Sequence, residues 1–235
     1  MKWIDISKEG PVGVMVMNYE EENHFDRPFV TEIMEALDTI EADGDIKSLV
    51  VTAKSGKYFC TGLYLQYMAK LPVKELLDFI LFFNNMLGRW CAFPKPVVGS
   101  INGHAFAGGA IMSAHFDFRY MRKDRGWVCV PEVDINIPFL PGMISIFREV
   151  LAPAAFREMA LTGKRYTGPE AKALGFIDEV YEKDDLLPKS IEMAKFLSTK
   201  NLSAYAEIKR RIRAETIRII KEDDPKFISG GLGQK

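Results

Sequence analysis

Two places in this sequence carry residues suited to chemistry at a carbonyl compound. The first is Gly108-Gly109, inside Lys95 to Met112, KPVVGSINGHAFAGGAIM. A short apolar run ends there in small residues and an apolar stretch, Ala110-Ile111-Met112, that reads as helix. Glycines at such a junction let another group approach the backbone. The first N–H groups of a helix have no internal partner, so a carbonyl oxygen gaining negative charge would be stabilised there. A tight packing turn explains the same glycines equally well. The second place is Glu132, which follows Pro131 and sits among Val130, Val133, Ile135 and Ile137. Desolvation by such neighbours raises a carboxylate's pKa and makes it a better base. Read alone, a glutamate is more often a solvated surface group. The three histidines and three cysteines show no zinc spacing, so no metal site is expected.

The elements that must position these residues alternate between strand and helix patterns. Val12 to Met17, Ser48 to Ala53 and Val97 to Ile101 read as buried strands. Asp26 is a helix cap with Pro28 behind it, and Phe29, Ile33, Ala36, Leu37 and Ile40 recur at helical spacing up to Gly44. Val73 to Trp90 is a long helix with an aromatic stripe, a pattern that serves a core more often than an acyl-chain pocket. Phe116 to Met121, Trp127 to Val130 and Phe176 to Tyr181 read as strands, and Met143 to Leu151 as helix. Thr167-Gly168-Pro169-Glu170 is a capping box closed by Gly175. From Asp184 the chain is helical, with a mobile tail expected from Asp223. The fold class is α/β, with a core over 1–182 and a helical region over 183–235.

Composition narrows the functions. The chain has 235 residues, and its 48% hydrophobic content supports a sizeable core. A formal net charge of −1 argues against nucleic-acid or membrane partners. The basic run Lys209 to Arg213 reads as a solvated helix face because acidic residues flank it. Three widely spaced cysteines, Cys60, Cys91 and Cys129, indicate a reducing compartment. With no signal peptide, no long apolar span and no Ser-Lys-Leu-type address in the final Gly-Leu-Gly-Gln-Lys, the expected location is the cytoplasm.

Three segments together resemble the crotonase superfamily of enoyl-CoA hydratases and isomerases. The central stretch is similar to that family's KPVVAAINGxAxGGG segment, and Phe59-Cys60-Thr61-Gly62-Leu63 to its FSAGAD loop. Leu161-Thr162-Gly163, Ala171, Leu174-Gly175 and Asp178-Glu179-Val180 resemble its LTG…EA…LGLVDEV segment. The match runs in order from about Val12 to Val180. It implies a spiral of ββα units, a helical C-terminal region that builds a homotrimer or a dimer of trimers, and an acyl-CoA substrate. It implies no cofactor, since coenzyme A is part of the substrate. By position, Leu63 and Gly108 would be the two backbone donors of an oxyanion hole, and Tyr64 departs from the polar residue many members carry.

The carboxylates then decide the expected reaction. Hydratases of the family carry two glutamates, and the position of the first is here Ile111. The second matches Glu132. One acid kept and one replaced resembles the Δ3,Δ2-enoyl-CoA isomerases of fatty-acid β-oxidation, in which one glutamate moves a proton from C2 to C4. Met121 to Ile135 looks particularly like the plant peroxisomal branch. A 1,3-proton shift needs one shuttle, whereas water addition commonly needs two groups. Tyr64, Gly109, Ile111, Phe82 and Phe139 are the expected pocket residues, with Asp134 the next candidate acid. Lys54, Lys57 and Lys70 are candidates for the CoA phosphates or for plain solvation; Cys60 and His104 are read as packing residues. The alternatives are another crotonase reaction, such as a thioesterase or weak hydratase, and a non-catalytic binding protein on the same fold.

Overall fold

The computed structural model describes residues 1–230; the final Gly-Leu-Gly-Gln-Lys lies outside the described residues. Strands β1 (Ile4–Glu9) and β2 (Val12–Met17) form an antiparallel hairpin turned at Gly10, whose φ is 68°. Strand β3 (Ser48–Ala53) pairs parallel to β2, and β5 (Val97–Ile101), β7 (Phe118–Arg122) and β10 (Glu179–Tyr181) extend the same sheet in the order β1-β2-β3-β5-β7-β10. Every residue of β3 and of β5 is buried, as a parallel sheet covered on both faces requires.

The intervening strands belong to a second sheet. β4 (Tyr58–Cys60), β6 (His104–Phe106) and β8 (Trp127–Cys129) run parallel, and β9 (Tyr166–Thr167) closes the edge antiparallel. From β3 to β8, consecutive strands alternate between the sheets, large then small. Helices follow the β3–β4 and β5–β6 pairs: α2 (Leu65–Met68) and α3 (Val73–Cys91), then α4 (Gly108–Ala114). This is the ββα spiral that the resemblance implies.

Local chemistry explains the boundaries. Helix α1 (Arg27–Ala42) starts where the Asp26 side chain accepts the Phe29 N–H at 2.9 Å. After α5 (Pro141–Val150) and α6 (Pro153–Thr162), α7 (Gly168–Leu174) is held by the Thr167/Glu170 capping box and ended by Gly175 in the left-handed conformation. Helix α8 (Lys183–Ser198) covers the outer face of the large sheet, packing Leu186, Ala194 and Leu197 on Val14, Val50 and Val98. Helices α9 (Leu202–Ile212), α10 (Ala214–Glu222) and α11 (Asp224–Ser229) follow. Among the described residues no helix is long and apolar enough to cross a membrane.

Two sequence expectations are corrected. The tail beyond Asp223 is helical through Ser229, with Asp224 and Ile228 buried. The run Lys209 to Arg213 is not one solvated face. Arg210 and Arg211 are exposed and pair with Glu207, but Lys209 and Arg213 are buried against Asp117. Asp117 accepts from Lys209 Nζ at 2.8 Å and from the Val97 N–H at 2.8 Å, and its other oxygen lies 3.2 Å from the Arg213 guanidinium. Burial pushes the Lys209 ammonium below its ordinary pKa, and Asp117 opposes that shift. This cluster ties the C-terminal helices to the start of β5. Removing the charge of Asp117 strands two buried cations, so Asp117→Asn should lower stability by about 3 kcal/mol, read as a fall in the urea midpoint.

Candidate active site

The site is assembled where the two sheets feed the loop after β4 and the start of α4. After β4 the chain passes through Gly62, whose φ is 87°. Gly62 C=O accepts from the Phe25 N–H at 2.7 Å, and the Tyr64 N–H donates to Phe25 C=O at 2.9 Å. In extended backbone successive residues present their polar groups to opposite sides. With Gly62 and Tyr64 both bonded to Phe25, the Leu63 N–H is turned to the other side. Gly108 opens α4 after Ala107. Among the described residues neither the Leu63 nor the Gly108 N–H is donated to a backbone carbonyl.

The two segments touch backbone to backbone. A Cβ on Gly62 would lie 2.6 Å from Gly108 N, and one on Gly109 would lie 2.2 Å from Cys60 O. These contacts bring Leu63 and Gly108 to the wall of one cavity of about 380 Å³. Thr61, Leu65, Met68, Leu76, Ile80, Phe83, Phe106 and Ile111 line it with them. The loop after β8 adds Pro131, Glu132, Ile135, Asn136, Ile137, Pro138 and Leu140, and α5 adds Met143.

Glu132 is the single ionisable side chain in that lining. It is 6% exposed, and its Oε2 has no hydrogen-bond partner among the described residues. Burial raises its pKa to about 7, opposed only by its own backbone N–H. The loop that carries it is a tight turn. Asp134 and Ile135 N–H both donate to Pro131 C=O, Ile137 N–H donates to Glu132 C=O at 3.0 Å, and Asn136 has a positive φ of 58°. The sequence pattern of enoyl-CoA hydratases and isomerases matches residues 7–222. The chain belongs to the enoyl-CoA hydratase/isomerase family.

Its relatives agree with this assignment. Enoyl-CoA delta isomerase 3 of Arabidopsis thaliana is 27% identical over 224 residues, covering 92% of this chain and 94% of that one. The peroxisomal enoyl-CoA delta isomerase 2 of the same plant is 27% identical over 225 residues, with the same shares covered. A crystal structure of a probable enoyl-CoA hydratase from Mycobacterium tuberculosis superposes with a TM-score of 0.90 at 25% identity, over 97% of this chain and 94% of that chain.

Against the family frame, the expected residues separate. Leu63, Gly108, Ile111 and Glu132 come together on the cavity. Tyr64, Phe82 and Phe139 do not line it. Tyr64 faces the far side of the loop after β4 and stacks on His24 with centroids 3.8 Å apart. Phe82 lies under the Arg27 guanidinium, and Phe139 packs against Phe147 and Phe156. Gly109 serves the backbone contact with Cys60 rather than the lining. Asp134 is exposed and points to Gly163, away from the cavity. Of the apolar neighbours expected to desolvate Glu132, Val133 is 51% exposed; Ile135 and Ile137 line the cavity with Glu132. Cys60 is buried, its thiol pushed up to about 12 by burial, and His104 accepts the Trp127 N–H.

On α3 the missed lining residues are Leu76, Ile80 and Phe83. Their i, i+4, i+7 spacing is one helical face, and Phe82 lies about 130° off its centre. That periodicity was the available signal.

Ala107 enters α4 with φ 47° and ψ −124°, a conformation suited to glycine. The family segment has glycine there. Ala107→Gly should therefore stabilise the fold by about 1 kcal/mol, seen as a higher Tm. Gly109→Ala should cost at least about 3 kcal/mol, because the obstacle is the Cys60 carbonyl rather than a flexible side chain.

Proposed function

We propose that this chain is a Δ3,Δ2-enoyl-CoA isomerase that moves the double bond of a 3-enoyl-CoA to the 2-position. The observation that carries the proposal is the solitary, desolvated Glu132 on an otherwise un-ionisable cavity. Ile111 occupies the position where hydratases of the family hold their other acid, and it cannot activate water or protonate carbon. Glu132 takes a proton from C2 of the substrate. The charge that develops on the thioester oxygen is held by the Leu63 and Gly108 N–H groups. The C3–C4 double bond shifts to C2–C3 as Glu132 returns the proton to C4, so the carboxylate is regenerated without water, metal or redox partner.

The apolar lining supports this chemistry in two ways. It keeps the enolate's hydrogen bonds out of competition with water, and it raises the basicity of Glu132. The names of the plant relatives favour the same reaction over hydration. Exposed Ile208 and Ile212 on α9, 58% and 67% accessible, support a homotrimer or a dimer of trimers that would cover them. Light scattering should give a trimeric or hexameric mass, and a concentration-independent monomer would contradict that assembly.

Glu132→Gln keeps the side chain's size and removes its basicity. Isomerisation of 3-hexenoyl-CoA should fall roughly a hundredfold or more, with acyl-CoA binding retained. Wild-type turnover by folded Glu132→Gln would end the single-base mechanism, and faster turnover of crotonyl-CoA than of 3-hexenoyl-CoA by the native enzyme would favour a hydratase.

The pH dependence has a defined sign. Glu132 must be ionised to act, so the wild-type rate should rise with pH and level off above about 7. For stability the direction reverses. The folded pKa lies above the unfolded value, so the folded state binds the extra proton, and stability is lost as pH rises from about 4.5 to about 7. Glu132→Gln escapes that loss. It should be more stable than wild type at pH 8 by on the order of 2–3 kcal/mol, with the gap closing near pH 4.

A further inference from the structure

We propose that Arg213 is a positioning residue for the reaction: by gripping the C-terminal ends of α3 and α4 it keeps the Gly108 N–H turned into the cavity. This rests on the reading of Gly108 as a donor and concerns what holds that donor rather than the base.

Arg213 joins α9 to α10 and is 7% exposed. Its guanidinium meets the ends of two helices at once. One nitrogen donates to the carbonyl of His115, the C-cap of α4, at 2.5 Å, and to that of Cys91, the last residue of α3, at 3.4 Å. The other donates to the Phe116 carbonyl at 3.3 Å and lies 3.2 Å from Asp117. A planar fork can span carbonyls on two helices, which the point charge of a lysine cannot hold in the same geometry. The grip continues inward. The His115 ring donates from Nδ1 to the Ile111 carbonyl at 2.8 Å, and Ile111 lines the cavity.

Both helices reach Gly108. Helix α4 begins with it, and the Phe83 ring of α3 would lie 3.1 Å from a Cβ placed on it. At 1.5 Å per residue α4 is only about 10 Å long, so holding its last turn holds its first. Ala107 makes that hold matter. Its ψ orients the peptide that carries the Gly108 N–H, and at φ 47° and ψ −124° it keeps a conformation that a side chain tolerates only under constraint. In front the constraint is the Ala107 N–H on the Cys129 carbonyl at 2.9 Å and Gly109 against Cys60. Behind, it is Arg213. With that end released, α4 shifts, Ala107 relaxes, and the Gly108 N–H turns away from the thioester oxygen. Lys209 shares Asp117 with Arg213, but it donates only to Asp117 and to the Lys95 carbonyl, not to α4. Lys209 therefore fastens the fold, whereas Arg213 also aims the donor.

The test compares Arg213→Lys with Lys209→Met in two measurements. One is turnover of 3-hexenoyl-CoA. The other is the infrared stretch of bound hexanoyl-CoA, isotope-labelled at its carbonyl carbon, which falls in frequency when the oxygen accepts hydrogen bonds. Native protein should lower the stretch. Arg213→Lys should lose most of that lowering, and its kcat and kcat/KM should fall together, on the order of tenfold to a hundredfold, with KM unchanged. Lys209→Met should lower Tm and leave stretch and kcat as they were. Adding Ala107→Gly to Arg213→Lys should restore part of both, because glycine takes that conformation without strain. If Arg213→Lys does not fold, Arg213→Gln takes its place. An unchanged stretch and kcat in the folded Arg213 variant, or a loss that Ala107→Gly does not relieve, overturns the proposal and leaves the isomerase reading intact. A stretch lowered by native protein and lost in Arg213→Lys, without turnover of any 3-enoyl-CoA, sinks the isomerase reading and leaves the role of Arg213 standing. A stretch that native protein does not lower removes the donor and this proposal with it.

Discussion

The site depends on one steric constraint: the backbones of Cys60 to Gly62 and Gly108 to Gly109 meet with no room for a side chain between them. At Gly109 the obstacle to a Cβ is a carbonyl oxygen, and at Gly62 a backbone nitrogen. Only because both are glycine can the end of β4 and the start of α4 lie close enough for Leu63 and Gly108 to face one cavity. The loop is fixed from behind as well. Phe25 brackets Leu63 by bonding Gly62 on one side and Tyr64 on the other. The next residue, Asp26, caps α1 and also accepts the Tyr19 hydroxyl. The placement of Leu63 and Gly108 is thus set by backbone packing and by a capped helix, both of which are stiff.

Part of this arrangement works against stability. Glu132 is held where its charged form is disfavoured, and Ala107 is held where its side chain is disfavoured. Asp224 is a third case: burial raises its carboxyl to about 6, against the Gly142 N–H and the Asn84 side chain, which lower it. The offsetting contacts lie elsewhere, in the fully buried β3 and β5 and in the Asp117 cluster that fastens the C-terminal helices. Ala107 and Glu132 both line the cavity, whereas the buried charges of Lys209 and Arg213 are held by their partner Asp117.

What was legible in the sequence follows the range of the forces involved. Buried β-branched runs and local caps announced β3, β5, α1 and α7, because period and capping are short-range signals. β1 was missed because it is an edge strand with a mostly polar, exposed pattern. β6 was missed because three residues between two glycine-bearing turns have too little length to show a period. α6 was missed as well: its apolar pattern is weak, with only Met159 and Ala160 buried. The residues that bring the site together were visible as motifs. Which neighbours line it was not, because that depends on the side to which each backbone position turns. Tyr64 lies between two lining residues, Leu63 and Leu65, and faces away. Phe139 lies between Pro138 and Leu140 and does the same. Lys209 and Arg213 looked like part of a solvated stripe because their partner, Asp117, is distant in sequence and reaches them only through the fold.

The low polarity of the cavity links the reacting end to the tail. The same absence of water that raises Glu132 towards neutral pH makes each methylene of a bound chain favourable. A polar or charged residue introduced at Ile80 or Met143 would weaken the tail's hold and, by rehydrating the cavity, return Glu132 towards an ordinary carboxylate. On the proposed function, chain binding and base strength therefore cannot be tuned independently in this fold. An occupied cavity excludes water from Glu132 more completely than an empty one.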